Sequence, residues 1–130
     1  MQIEIFTICD NAQVYAGKAV ITGAFNQVVA KSLPVVMQNL TLAVRVAFEK
    51  EETGDKTFYF NLKSPDGTQL IPELCCEAKL AEPVEKQGLL TTYDMNIVIG
   101  NIALTQYGIY TVTMKLDGKE HTLKFFVQQG

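Results

Sequence analysis

Apolar and polar residues alternate along most of this chain with a period of two, the spacing of a strand that buries one face and wets the other. In NLTLAVRVAFE, Leu40, Leu42, Val44, Val46 and Phe48 share one parity, and Thr41, Ala43, Arg45, Ala47 and Glu49 the other. KTFYFNLK sets Phe58, Phe60 and Leu62 against Tyr59, Asn61 and Lys63, and ELCCEAKLA sets Leu74, Cys76, Ala78 and Leu80 against Cys75, Glu77 and Lys79. Each run predicts a half-buried strand whose second parity faces water.

Turn residues punctuate these runs at Glu52-Thr53-Gly54-Asp55, Ser64-Pro65-Asp66-Gly67 and Asp117-Gly118. Asp-Gly favours a two-residue type I′ hairpin loop, in which both positions take positive φ. Closing the chain there sets Leu116 opposite Lys119, Lys115 opposite Glu120, Thr113 opposite Thr122, Val112 opposite Leu123 and Tyr110 opposite Phe125. Charge meets opposite charge and apolar meets apolar, so the register supports itself.

In MNIVIGNIALTQ the inward parity switches between Ile97/Ile99 and Ile102/Leu104, and Gly100-Asn101 at the switch predicts a β-bulge. Asp10 could cap a helical turn over Asp10–Tyr15. The stretch AEPVEKQG, 81–88, reads as a surface connection rather than a domain boundary. Short strands separated by turns, with hardly any helix, predict an all-β antiparallel β-sandwich of seven to nine strands, as one domain over 1–130.

Composition narrows the partners. Of 130 residues, 48% are hydrophobic and 19% charged, which suits a globular fold rather than disorder. A net charge of −3 and a single arginine, Arg45, argue against nucleic acid. No apolar run has the length of a membrane-spanning helix. MQIEIFTICDN lacks the basic and apolar regions of a signal peptide, and the three cysteines read as reduced thiols, so the expectation is a cytoplasmic protein.

CDNAQVYAGKAVITG, 9–23, most resembles chemistry, but a phosphate-binding loop fails there. Ala12 stands where the motif needs glycine, Ala19 where it needs a hydroxyl, and KAVITGAF reads as a strand where it needs a helix. Gly17-Lys18 instead opens the second strand, with Gly23 at a bulge or a close approach. Cys9, Cys75 and Cys76 show no zinc spacing. A nucleophilic thiol would need His121, the only histidine, beside one of them. Cys76 reads as a core thiol, and carboxylates beside Cys75 disfavour its thiolate. The acidic run with Glu49, Glu51, Glu52 and Asp55 reads as a solvated hairpin tip rather than a calcium loop, and Asp94-Met95-Asn96 has no ligand loop around it.

Gly108-Ile109-Tyr110 resembles the start of the penultimate strand of immunoglobulin-like sandwiches, where a tyrosine hydroxyl reaches back to the backbone at a corner. CDNAQVYAGKAVITGAFNQV, SLPVVMQNLTLAVRVAF, SPDGTQL and NIALTQYGIYTVTMKLDG, taken in order, resemble an uncharacterised bacterial family of small β-sandwich proteins with a domain-of-unknown-function label. That resemblance implies the fold and supplies no ligand or catalytic residue.

No acid, base and nucleophile assemble into a catalytic set, so the expectation is a non-enzymatic binding or structural module without cofactor or metal. Its partner would be a protein or a second copy, and its candidate contact residues are Asp10, Tyr15 and Lys18, beside the first turn. The alternative is a small-ligand or carbohydrate-binding sandwich using Tyr15, Tyr59, Tyr93 and Tyr107, although the chain has no tryptophan. A thiol- or metal-dependent enzyme built on Cys9 is the third reading.

Overall fold

Ten strands form, in three sheets, in the computed structural model, which describes residues 1–81 and 91–130. The first is β1 (Gln2–Cys9), followed by β2 (Asn11–Tyr15), β3 (Lys18–Thr22), β4 (Gln27–Ala30) and β5 (Val35–Phe48). After these come β6 (Gly54–Lys63), β7 (Leu74–Leu80), β8 (Thr91–Leu104), β9 (Gly108–Leu116) and β10 (Lys119–Gln129). One sheet has the order β1-β5-β8 and a second β4-β10-β9-β6-β7, while among the described residues β2 and β3 pair only with each other. Every pairing is antiparallel except β4 with β10. The fold is therefore all-β and mostly antiparallel, with more strands and one more sheet than expected. Part of the surplus is β2. Asn11–Tyr15 is extended rather than a helical turn, because its backbone groups are satisfied across the hairpin by β3.

The inward parities behave as the pattern predicts. Leu40, Leu42, Val44, Val46 and Phe48 of β5, and Phe58, Phe60 and Leu62 of β6, are buried in one cluster with Tyr110, Val112 and Phe125. Each fully buried side chain of this size contributes about 1.5–3 kcal/mol of hydrophobic stabilisation. The β9–β10 register is the expected one throughout, from Leu116↔Lys119 to Tyr110↔Phe125. Asp117 and Gly118 have φ of 51° and 75°, as a type I′ turn requires. Lys115 and Glu120 form an ion pair at 3.3 Å, and the Tyr110 and Phe125 rings stack with centroids 5.1 Å apart.

The parity switch in β8 is also present. Leu40 pairs with Gly100 and Thr41 with Val98, so Ile99 is the extra residue. β5 answers with a second irregularity between Met37 and Leu40, where Asn39 takes a φ of 56°. The two bulges bend the β5–β8 ribbon together.

Two expectations give way. The second parity of β5 is not wet: Thr41, Ala43 and Ala47 are buried and Arg45 is half-buried. β2 lies against β5 and β8 on that side, and small side chains at three of the four positions leave room for it. The acidic run is not a hairpin tip either. Lys50–Glu52 forms a single 3-10 turn in the connection from β5 in one sheet to β6 in the other. Glu52 there accepts the Glu49 N–H at 3.0 Å and receives the Met1 amine, whose hydrogen bond is the main reason its carboxyl is held below the usual range. The connection expected over 81–88 lies, beyond Ala81, outside the described residues.

At one end of the molecule the Ser64–Thr68 turn docks on the β8–β9 corner. The Asp66 carboxylate accepts hydrogen bonds from the Ser64 hydroxyl, the Thr68 N–H at 2.9 Å and the Gln106 side-chain amide at 2.9 Å. These bonds, that of Ser64 foremost, hold its carboxyl well below the usual carboxylate range. A carboxyl depressed in the folded state contributes stability that is complete above its unfolded pKa of about 3.9 and is lost as pH falls through the folded value. Thermal melts from neutral pH downward should therefore show the native protein losing stability below about pH 4 more steeply than Asp66→Asn. Parallel curves for the two proteins would contradict this assignment.

Candidate functional site

The β2–β3 hairpin is the part of the molecule that stands outside both main sheets. It leaves β1 at Cys9, runs out to a turn at Ala16-Gly17 and returns toward β4. Ala16 and Gly17 have φ of 50° and 74°, and the register Tyr15↔Lys18, Gln13↔Val20, Asn11↔Thr22 makes the turn a two-residue type I′ loop. Lys18 thus opens the third strand rather than the second.

Pleating divides the hairpin's side chains between two faces. Ala12, Ala19 and Ile21 share one face and are half-buried; Asn11, Gln13, Tyr15, Lys18, Val20 and Thr22 share the other and are exposed. Tyr15 is 74% exposed and stands beside Lys18 at the tip.

An isolated two-stranded ribbon is only marginally stable in water. This one is held at both ends. At the tip, Arg45 of β5 donates through Nε to Asp94 Oδ1 at 2.8 Å and through Nη2 to Asp94 Oδ2 at 3.2 Å. The same Nη2 donates to the carbonyl of Gly17 at 3.0 Å. Arg45 and Asp94 face each other across the β5–β8 register and are mostly shielded from solvent, with side chains 18% and 15% exposed. The hydrogen bond to Asp94 is the main reason the guanidinium pKa is raised further above its ordinary value.

At the base, the Asp10 N–H donates to the carbonyls of Thr22 at 3.1 Å and Gly23 at 3.2 Å. Gly23 has a φ of +69°, and a Cβ placed on it would come within 2.3 Å of Asp10 Oδ2. The close approach expected at Gly23 is therefore present.

Of the three candidate contact residues, the hairpin brings Tyr15 and Lys18 together and holds Asp10 at its base, five residues or about 16 Å along the strand. Asp94 is the residue the pattern undervalued. Its outward parity matches that of Arg45, and opposite charges at facing outward positions were the available signal, but only once β5 and β8 are paired.

The other candidates are scattered. Cys9 is completely buried beside Thr41, with its Sγ 3.7 Å from the Thr41 carbonyl. Burial, ahead of the nearby Asp10 charge, pushes its thiol up. His121 lines a hollow with Met1, Ile3 and Glu52. Cys9 lies six residues further along β1 than Ile3, about 20 Å away, so thiol and imidazole are not brought together. Burial likewise raises the Cys76 thiol, while Cys75 is exposed on β7 opposite Tyr59. No group of three or more His, Cys, Asp or Glu side chains able to hold a metal ion is present among the described residues.

Of the four tyrosines considered for a sugar platform, Tyr93 and Tyr107 are half-buried against the core, and the Tyr107 hydroxyl donates to the Ala30 carbonyl at 3.2 Å. Tyr15 and Tyr59 are exposed but belong to different sheets. Among the described residues, no helix is long and apolar enough to cross a membrane.

No curated protein matches the chain. Residues 4–128 match a family model described as a family of unknown function, and the chain belongs to that family, DUF6941.

Proposed function

We propose that this chain is a non-enzymatic interaction module that presents the tip of the β2–β3 hairpin, with Tyr15 and Lys18, to a protein partner. The observation that carries the reading is the pinned tip. The only arginine of the chain is held in a shielded, two-pronged ion pair, and its remaining reach fixes the carbonyl of Gly17. A largely exposed aromatic ring on an anchored turn costs little conformational entropy to bind, which is how interface hot spots are built. Lys18 beside it favours a partner surface that carries a carboxylate.

The scaffold for this tip is an immunoglobulin-like sandwich. Supporting that view are the three-strand order β1-β5-β8 set against β10-β9-β6-β7, and a tyrosine corner. There the Tyr110 hydroxyl donates to the Gln106 carbonyl at 2.8 Å and accepts the Gln106 N–H at 3.1 Å. The setting is the cytoplasm of a bacterium, which suits three free thiols.

The test is affinity capture from the protein's own cell extract, quantified by mass spectrometry. Three baits are compared: the native chain, the double variant Tyr15→Ser/Lys18→Glu, and Phe126→Ser on the far sheet. A partner retained by the native chain and by Phe126→Ser should fall at least about tenfold with the tip variant, as loss of a hot-spot aromatic implies. Equal recovery on all three baits would overturn the reading.

A further inference from the structure

Two Asp-Gly steps interrupt the strands, Asp66-Gly67 and Asp117-Gly118. Such a step can close on itself. The glycine nitrogen bonds to the aspartate Cγ, and the carboxyl hydroxyl leaves as water with the amide proton. A five-membered succinimide ring then joins side chain to main chain. Glycine favours the reaction because it has no Cβ to obstruct the approach and lets the peptide between the two residues turn over. Water reopens the ring at either carbonyl. Opening at the main-chain carbonyl routes the chain through the side chain, as isoaspartate, with one more methylene in the backbone.

Closure needs a carboxyl that can take up a proton, a glycine N–H that is not engaged, and a peptide unit free to rotate. Asp66 meets none of these conditions. Its carboxylate accepts from the Ser64 hydroxyl, the Thr68 N–H and the Gln106 amide, and those bonds keep it ionised. The Gly67 N–H donates to the Ser64 carbonyl at 2.9 Å, and the Ser64 N–H to the Thr68 carbonyl at 2.9 Å across the same turn. Rotating the peptide between Asp66 and Gly67 breaks the Gly67 bond.

Asp117 is placed differently. Its side chain is 57% exposed, and its carboxylate has one partner, Lys56 Nζ at 3.1 Å. Among the described residues, no hydrogen bond engages the Gly118 N–H or the Asp117 carbonyl. The peptide that joins them is therefore held only by the pairing of Leu116 with Lys119 on either side. Turning it over converts the type I′ loop into type II′ and leaves both strands in place. That rotation brings ψ of Asp117 to about −120°, the value at the first central residue of a type II′ turn. A flat succinimide ring imposes the same angle, because it eclipses the glycine nitrogen with Cβ. The β9–β10 hairpin can thus carry the ring without losing its register.

We propose that Asp117-Gly118 is a site of spontaneous modification in the folded protein, cyclising to succinimide and reopening as isoaspartate, whereas Asp66-Gly67 is kept inert by its hydrogen bonds. Water is the only co-reactant. The product has a longer loop between β9 and β10, and its carboxylate leaves the position that Lys56 holds. Neither step lies on the β2–β3 hairpin, so partner capture there is a separate question.

Prolonged incubation of the full chain in heavy-oxygen water tests this, since each passage through the ring leaves one heavy oxygen on the aspartate. Digestion and mass spectrometry then read the two steps separately. In the native protein Asp117 should take up label at least about tenfold faster than Asp66, the least that breaking a hydrogen bond to a charged group implies. In urea, where both turns are gone, the two rates should come together to within about threefold, as their shared Asp-Gly chemistry requires. The double variant Ser64→Ala/Gln106→Ala, with its fold checked by circular dichroism, should speed labelling at Asp66 and leave Asp117 unchanged. Equal labelling of the two steps in the native protein would overturn the proposal. So would an Asp117 that stays unlabelled while the urea-unfolded chain labels fully, or an Asp66 that the double variant fails to release.

Discussion

Arg45→Ala is expected to cost about 2–3 kcal/mol of stability and to free the hairpin tip well before the two main sheets give way. The size follows from where the charges sit. An exposed ion pair is worth about 0–1 kcal/mol, while stripping one partner from a fully buried pair costs about 3–5 kcal/mol. Arg45 and Asp94 lie between those limits, at 18% and 15% side-chain exposure, and truncating Arg45 leaves Asp94 shielded without its counter-ion. It also leaves the Gly17 carbonyl without its donor. Arg45→Lys should recover only part of the loss, since an ammonium cannot make the forked contact to both carboxylate oxygens and still reach Gly17.

Urea denaturation gives the free energy, and amide hydrogen exchange locates the loosening, expected over 11–22. Cys9, completely buried beneath this region, provides an independent readout: its thiol should react faster with a labelling reagent in Arg45→Ala. A loss below about 0.5 kcal/mol, with exchange over 11–22 unchanged, would reduce the pair to an ordinary surface contact and remove the support for a preorganised tip.

That dependence on Asp94 also explains what a pattern of residues can and cannot convey. Parity is local, so the inward faces of β5, β6 and β7 and the β9–β10 register were all legible from alternation and one Asp-Gly turn. The extra residue in β8 was legible to within one position, because a bulge flips parity along the same strand. What covers an outward parity is not local. Thr41, Ala43 and Ala47 read as wet, yet β2 lies over them, and their small size was the one trace of that second layer. The Arg45–Asp94 pair joins positions 49 residues apart and becomes visible only once β5 and β8 are in register. β4 is short and parallel to the last strand, so neither its length nor its partner leaves a strong periodic signal. The candidate site shows the same division. Tyr15 and Lys18 flank one turn and could be placed together from the sequence, whereas Asp10, grouped with them as a polar residue beside the first turn, precedes a segment whose extension the sequence did not show. Extension into β2 moves it to the other end of the hairpin.

The base of the hairpin supplies the second large effect. Gly23→Ala is expected to cost about 2–3 kcal/mol, from two sources that can be separated. A φ of +69° strains any residue with a Cβ by about 1–2 kcal/mol. The new Cβ would also lie 2.3 Å from Asp10 Oδ2 and 2.8 Å from its Cγ, so the carboxylate must swing away while the Asp10 N–H still holds the Thr22 and Gly23 carbonyls. Asp10→Ala removes those two atoms and leaves only the Cβ contact at 3.1 Å. In the Gly23→Ala background it should therefore restore about 1 kcal/mol, the overlap part, and leave the backbone strain in place. A double-mutant cycle in urea measures this coupling directly. Effects that add to within about 0.5 kcal/mol would mean that backbone conformation alone confines position 23. The single variant Asp10→Ala then decides what the carboxylate is for. If it keeps full stability but weakens partner capture, Asp10 extends the contact surface from the tip to the base of the hairpin. If it keeps both, the contact ends at Tyr15 and Lys18.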